Sequence, residues 1–132
     1  MSKRPRGQSL MEFAIIVVLM LTLLATAADL GNILFSYIQL FDAAQEGVQF
    51  GSFCPNSGKI SAQVKGHSSF PIELTNPDIS VISSFTAAEG NPITVTVRRT
   101  NFQFFLPFIQ PFFGNELSAQ ATARIITTVG CP

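Results

Sequence analysis

The sequence is poor in several residue types on which protein chemistry depends. It has one histidine and two cysteines, and only 12% of its residues are charged. The histidine, His67, would need an acid and a nucleophile beside it to act in a catalytic triad, and the sequence has no nucleophile elbow. Scattered cysteines and a single histidine also lack the usual spacing of a metal site, and no glycine-rich phosphate loop is present. The composition therefore disfavours an enzyme and predicts no metal and no cofactor.

Positive charge is concentrated at the amino end. Lys3, Arg4 and Arg6 precede a long apolar segment, and the remainder of the chain carries more acidic than basic side chains. The only tight basic pair elsewhere, Arg98 and Arg99, is interpreted as the solvated edge of a strand. Because phosphate contacts need clustered Lys or Arg, nucleic acid is not an expected partner.

The apolar segment runs from Leu10 to Ala28 and approaches the ~20 residues that a helix needs to span a bilayer. The basic residues before it place the amino end in the cytoplasm by the positive-inside rule, and the rest of the chain outside. A lipid bilayer is therefore a predicted partner. A secretory signal peptide cut after Ala27 is the alternative interpretation.

One long helix is predicted to contain this segment. Ser9 can cap the helix, Glu12 completes a capping box, and the helix continues to about Gly51. Beyond Asp29, apolar residues recur at spacings of four and three, which predicts an amphipathic half that packs on the rest of the chain. The predicted apolar face consists of Leu30, Leu34, Tyr37, Phe41, Ala44 and Val48. The polar residues Asn32, Ser36, Gln39, Asp42, Gln45 and Glu46 fall largely on the opposite side.

Three small residues in the amphipathic half, Ala43, Gly47 and Gly51, are spaced by four. Such spacing would let another backbone approach the helix closely. Alternatively, Gly51 only ends the helix and Gly47 is there by accident of packing.

The remainder of the chain favours a short helix and then strands. Ile60 and Val64 suggest one or two helical turns ending at Gly66, and three strands are expected at 78–85, 93–98 and 116–128. Three strands in sequence predict an antiparallel sheet packed on the amphipathic half-helix, so the predicted fold class is α+β.

An aromatic segment lies between the last two predicted strands. Six of the thirteen phenylalanines fall within Phe102–Phe113, together with two prolines that argue against a central strand. The segment either fills the small core or forms an exposed patch for a subunit or the membrane surface.

The two cysteines, Cys54 and Cys131, would both lie outside the membrane, where oxidising conditions favour a disulfide. Closing so long a loop would stabilise the fold by about 4 kcal/mol in the chain-entropy model. Two separate buried thiols are the alternative.

Glu12 is an unusual residue to find inside the edge of an apolar segment. An unpaired charge in lipid costs roughly 2.5 to 3.5 kcal/mol on insertion scales. A sequence that keeps such a charge usually has a partner for it, and the amino terminus of a neighbouring copy is the predicted partner.

The motif GQSLMEF at residues 7–13, preceded by basic residues and followed by an apolar run, resembles the processing site of type IV pilin-like proteins. The resemblance implies that a prepilin peptidase cuts after Gly7, that the new amine of Gln8 is methylated, and that Glu12 is the acid at the fifth position of the mature chain.

Further motifs resemble the TadE-like family of pseudopilins of the tight-adherence (Flp) pilus system. They are RGQSLMEFA at residues 6–14, Asp29-Leu30-Gly31, and AAQEGVQFG at residues 43–51. Two positions depart from the family pattern. Val18 stands where the family commonly has proline, so no kink is expected, and Gln49 replaces a basic residue.

The resemblance implies a division of the chain into a cleaved leader (1–7), a transmembrane half-helix (8–28), an amphipathic half-helix (29–52) and a small extracytoplasmic head (53–132). It implies a filament subunit for adhesion or secretion, held in the bacterial cytoplasmic membrane before assembly and outside it afterwards. The expected partners are other pilin or pseudopilin subunits, the prepilin peptidase and the inner-membrane assembly platform. A membrane-anchored binding module that does not polymerise is the alternative.

Overall fold

The computed structural model describes residues 6–66, 79–101, 104, 106 and 110–128. Their elements, in chain order, are α1 (Arg6–Phe53), α2 (Ser57–Gly66), β1 (Ile79–Phe85), β2 (Pro92–Arg99), α3 (Gln110–Phe113) and β3 (Leu117–Arg124). A long amino-terminal helix joined to a small antiparallel sheet confirms the predicted α+β class. The short helix α2 was also predicted, whereas α3 within the aromatic segment was not.

Helix α1 contains 48 residues and is therefore about 72 Å long. Its described part begins at Arg6, three residues before Ser9, near which the sequence predicted the start of the helix. Since an N-cap residue has a non-helical backbone, Ser9 inside the helix does not occupy the capping position of the predicted box. A glycine such as Gly7 lowers helix stability by only about 1 kcal/mol relative to alanine, which the rest of a long helix offsets.

The sheet has the order β1-β2-β3, and both neighbouring pairs are antiparallel. In the central strand β2, Ile93, Val95 and Val97 are fully buried and alternate with residues that face the other side. Val97 lies opposite Ala119 of β3, and Val95 lies opposite Ala121. These small alanines leave room for a helix across the sheet.

The second half of α1 lies on β2 and β3, and α2 packs beside it against α1 and β1. The side chains that fill this interface form one hydrophobic core: Leu40, Ala43, Ala44, Val48, Ile60, Val64, Ile93, Val95, Val97, Ala119 and Ile125. The end of α1 is also tied to the chain after β3, because Ile126 N donates a hydrogen bond to Ser52 O at 2.8 Å. The core therefore lies at the carboxyl end of α1, far from its apolar half.

The face of α1 that the head covers differs from the predicted face. Leu30, Leu34 and Tyr37 are exposed, whereas Ser36 and Gln39, assigned to the polar side, are buried. The prediction holds further along the helix, where Ala44 and Val48 are buried and Phe41 is half-buried. The apolar face predicted from the sequence is thus only partly the surface that contacts the head.

Two glycines explain which side of α1 faces the sheet. A Cβ added at Gly47 would lie 2.6 Å from Val64 Cγ2 and 3.1 Å from Val95 Cγ1. At Gly51 it would lie 2.5 Å from Ile93 Cδ1. The groups that approach these glycines are side chains of the head rather than a second backbone. Because α1 continues to Phe53, Gly51 is not its end.

Leucine at position 47 should destabilise the head. Gly47→Leu would force a side chain into the packed contact with Val64 and Val95. Overpacking of this kind typically costs about 1–3 kcal/mol, and we expect the upper end because both neighbours are stiff at χ1. Thermal unfolding followed by circular dichroism in detergent would measure it. The control is Gly31→Leu, where an added Cβ meets nothing within 4 Å. Equal melting temperatures of the two variants would contradict the packing described.

Candidate functional site

The first half of α1 is largely exposed, in contrast to the second half, which packs on the head. Every residue from Gly7 to Leu24 is exposed, including the apolar side chains of the segment that begins at Leu10. Within the described part of the chain, α1 is the one helix long and apolar enough to cross a membrane. Such a surface is suited to lipid or to the helices of other subunits.

The hydroxyl groups of the threonines in this half-helix are hydrogen-bonded to the backbone of the same helix. Thr22 Oγ1 donates a hydrogen bond to Val18 O at 2.9 Å, and Thr26 Oγ1 donates to Thr22 O at 2.8 Å. Bonds to the carbonyl one turn back satisfy hydroxyl groups where no water is present. The two threonines are therefore compatible with a transmembrane position.

The predicted processing residues lie in the first turns of α1. Gly7 and Gln8 are exposed, and the space around Gly7 is open, since an added Cβ would meet nothing within 4 Å. Glu12 is also exposed and follows Gln8 by four residues, so the two lie on the same face of the helix. The structure thus places Gln8 and Glu12 one turn apart on the same face of α1, with Gly7 next to Gln8 in the chain.

An apolar surface continues beyond the transmembrane half. Its members are exposed by 44 to 64% of their area and belong to the first turns after Asp29; they are Leu30, Leu34, Phe35, Tyr37 and Ile38, and we call them the apolar stripe. The ring of Tyr37 stacks on that of Phe41, with centroids 6.4 Å apart and an interplanar angle of 13°. The stripe continues the exposed apolar surface of α1 beyond the apolar run, toward the part of the helix that carries the core.

The side chain of Asp29 makes a contact with the chain between β2 and β3 that the sequence did not predict. This side chain is buried, with 4% of its area exposed, and Leu106 N donates a hydrogen bond to Asp29 Oδ2 at 3.0 Å. A hydrogen bond to a carboxylate is stronger than one between neutral groups. Leu106, in the chain between β2 and β3, is therefore attached to α1 at the first residue after the apolar run. The Asp-x-Gly motif was the available signal.

Several predicted features lie partly or wholly outside the described residues. Cys54 is buried, and no free cysteine occurs in the part of the chain that the structure describes. Cys131 lies beyond it, so the disulfide stays a prediction. His67 and most of Phe102–Phe113 also lie outside the described residues. Within Phe102–Phe113, only Phe104, Leu106 and α3 are described.

The described residues contain no group of three or more His, Cys, Asp or Glu side chains arranged to hold a metal ion.

Arg98, one residue of the basic pair noted in the sequence, forms an exposed ion pair with Glu116 at 3.2 Å. Exposed pairs of this kind contribute little to stability.

Comparison with known proteins agrees with the motifs of the helix. Residues 7–49 match the family model described as TadE-like protein, which covers most of α1 and ends before the head. No curated protein and no solved structure gave a match. The family is associated with pili and is not generally an enzyme family. Residues 7–49 are therefore similar to the TadE-like family, as the motifs predicted, and this similarity is consistent with a TadE-like protein of the Tad pilus system.

Proposed function

We propose that the protein is a structural subunit, a pilin or minor pseudopilin, of a Tad-type filament. It is inserted in the cytoplasmic membrane with its amino end inside, cut after Gly7 by a prepilin peptidase, and assembled through α1. The observation that supports this most is the exposed apolar half of α1, with Glu12 on its surface, in a helix whose other half carries a folded head. A head of this size favours a minor or initiating subunit.

The proposed role of Glu12 is to set the register between subunits. Cutting after Gly7 frees the amine of Gln8, and methylation of an amine keeps its positive charge. In the low-dielectric centre of a helical filament, this cation and the Glu12 carboxylate of a neighbour attract each other far more strongly than in water. A subunit in the wrong register would leave both charges buried and unpaired, which is strongly unfavourable. Processing thus creates the group that assembly needs.

The apolar stripe supports the same proposal. Its five side chains lie outside the predicted bilayer and are exposed beside the described part of the head. Contiguous exposed apolar surface beyond a membrane segment is typical of a contact with another protein. In the proposed filament, α1 helices of neighbouring subunits cover it, and the assembly platform delivers the subunits.

A polar residue in the apolar stripe should reduce assembly without affecting folding. Leu34 is 64% exposed, so Leu34→Ser changes little inside the head. Removing its apolar area from a subunit contact should lower incorporation by about tenfold, since a buried leucine contributes roughly 1.5–3 kcal/mol. Incorporation is measured by immunoblot of sheared filaments against the membrane fraction.

The matched control is Ile82→Ser, which alters an apolar side chain on β1 that is 50% exposed. This variant should assemble as the native protein does. Equal incorporation of Leu34→Ser and Ile82→Ser would show that the apolar stripe is not a subunit contact.

The mass of the intact subunit tests the proposed function. Filaments are sheared from cells and the subunit is identified by mass spectrometry. Loss of residues 1–7 together with one added methyl group is the expected result. Cleavage after Ala27 would indicate an exported domain instead. An uncut chain found only in membranes would indicate an anchored binding module that does not polymerise, and either outcome contradicts the proposal.

A further inference from the structure

An open groove runs along α1 in the head, beside α2. Its volume is about 620 Å³, which lies within the usual size range of ligand pockets. Six residues of α1 between Asp42 and Phe53 line it, Gln63 of α2 forms its other side, and we call it the polar groove. Because positions three, four, seven and eight apart share one face of a helix, the α1 residues form a continuous surface about 16 Å long.

The packing of α2 on α1 gives the polar groove its shape. Gly47 has no side chain, and Val64 approaches so closely that an added Cβ would lie 2.6 Å from Val64 Cγ2. The residues just before these two, Glu46 and Gln63, are thereby brought together. Gln63 Nε2 donates a hydrogen bond to Glu46 Oε1 at 3.2 Å, which links the two sides of the groove.

The polar side chains of the groove suit hydroxyl groups. Gln45, Gln49 and Gln63 carry amides, which donate and accept hydrogen bonds, whereas the carboxylates of Asp42 and Glu46 only accept them. A sugar hydroxyl also donates and accepts. Since Gln45 and Gln49 are exposed, their amides are accessible to a ligand, and together with the carboxylates they can bind neighbouring hydroxyls of one sugar.

Two phenylalanines supply the apolar contact that a sugar ring needs. Phe53 is 55% exposed, and Phe50 beside it in the groove is half-buried. The face of an aromatic ring is negative and attracts the positive C–H groups of a partner that stacks on it. A ring next to amides can therefore hold the apolar face of a sugar while the amides bind its hydroxyls.

Charge and position disfavour other classes of ligand. The carboxylates of Asp42 and Glu46 repel anions such as phosphates and acidic sugars. Asp42 and Phe53 lie about 20 and 36 Å beyond Asp29 along α1, well away from lipid in the proposed orientation. A cation remains, but three amides outnumber the two carboxylates, and Glu46 already accepts the hydrogen bond from Gln63.

We propose that the polar groove binds a neutral saccharide, with Phe53 stacked on a sugar ring and with Gln45 and Gln49 hydrogen-bonded to its hydroxyl groups. The inference rests on the proposed function in one respect: insertion of α1 in the membrane places the groove outside the cell, where it can meet surface glycans. Binding itself is a property of the head and is measured without filaments.

A glycan array tests the proposal. The full chain is placed in phosphatidylcholine nanodiscs, because maltoside detergents would themselves supply a sugar. The array carries neutral oligosaccharides of hexose and N-acetylhexosamine beside sialylated and sulfated ones. We expect retention on one or more neutral glycans and none on the acidic ones. Retention on no neutral glycan would overturn the inference, and a subunit cut after Gly7 in the same cells would leave the proposed function standing.

Titration with the neutral glycan that is retained best locates the site. Phe53→Ala should lower the affinity about tenfold and Gln49→Ala about fivefold, because each removes one contact. The matched controls are Ile82→Ala on β1 and Gln120→Ala on β3, both exposed and outside the groove. They should bind as the native protein does. Native affinity of the groove variants, or equal losses in groove and control variants, would overturn the proposal.

A tryptophan at position 53 keeps the ring and covers the case in which Phe53→Ala does not fold. The chain has no tryptophan, so Phe53→Trp reports on the groove alone by fluorescence. Its emission should shift to the blue when the neutral glycan binds. Binding without any change in emission would place the saccharide elsewhere and contradict the inference.

Asp42→Asn separates a saccharide from a cationic ligand. Asparagine removes the charge but keeps an oxygen that accepts a hydrogen bond, so the affinity for the glycan should remain within about threefold of native and should not depend on salt. The competing probe is an oligolysine peptide. If oligolysine binds, weakens with salt and is lost in Asp42→Asn while no neutral glycan binds, the groove takes a cationic segment and the inference is overturned.

Discussion

Alanine at position 7 should leave the protein uncut and absent from filaments. The proposed peptidase requires close approach of its catalytic groups to the backbone after Gly7, and a Cβ at that point would obstruct them. The substitution should not disturb the subunit itself, because nothing lies within 4 Å of the added atom. Intact mass of membrane-bound Gly7→Ala should therefore show the full leader, with processing reduced to a trace.

The matched control is Gly31→Ala, another exposed helical glycine whose added Cβ meets nothing within 4 Å. It should be cut normally and, if anything, stabilise the helix by about 1 kcal/mol. Efficient cleavage of Gly7→Ala would show that the processing site is misassigned. Loss of cleavage in both variants would attribute the effect to the helix as a whole and would also count against the assignment.

Replacing Glu12 by glutamine should permit processing and membrane insertion but nearly abolish incorporation. Glutamine has the same shape and lacks the charge that the freed amine of Gln8 is proposed to meet. The cation would remain buried without its partner, and breaking a buried pair from one side costs about 3–5 kcal/mol, equivalent to a loss of at least a hundredfold. Membrane fractions should contain processed Glu12→Gln protein at the native level, while sheared filaments should contain almost none.

Glu116→Gln is the control for loss of one acidic charge. Glu116 pairs with Arg98 at 3.2 Å on the exposed surface of the head, where such pairs contribute little. This variant should assemble normally. Native incorporation of Glu12→Gln would remove the charge-register mechanism, even if the protein proved to be a filament subunit.

The elements of the fold could be predicted from the sequence because each has a strong local pattern. Alternating β-branched residues mark β2, and the uniform apolar run followed by a helical repeat marks α1. The side of α1 that meets the head could not be predicted in the same way. Periodicity identifies the apolar face of a helix, but it does not show whether the chain's own sheet or another molecule covers that face.

The positions of two glycines determine which side of α1 meets the sheet. Gly47 and Gly51 permit the side chains of Val64 and Ile93 to approach α1, so the sheet packs on their side of the helix. The same face carries Asp29, next to the apolar run, where its carboxylate accepts a hydrogen bond from Leu106 N. Burial of this acid depends on a contact between residues far apart in sequence, which no local pattern reveals.

Similar reasoning applies to the candidate site. The roles of Gly7, Gln8 and Glu12 are predictions from a short motif, and the match over residues 7–49 agrees with the family resemblance from which they come. The head lies outside the match, and its attachment through Leu106 became evident only from the coordinates. The sequence therefore indicated the family that the amino-terminal helix resembles, but it did not indicate the contacts of the head.

The most direct test of the charge-register mechanism is zero-length cross-linking of assembled filaments built from equal amounts of nitrogen-15-labelled and unlabelled subunits. Carbodiimide joins a carboxylate to an amine only when the two are in contact. The mechanism predicts an amide between Glu12 of one subunit and the amino group of Gln8 of another, seen by mass spectrometry as peptides that combine labelled and unlabelled halves. Filaments in which Glu12 is never joined to Gln8 of a different subunit would contradict it.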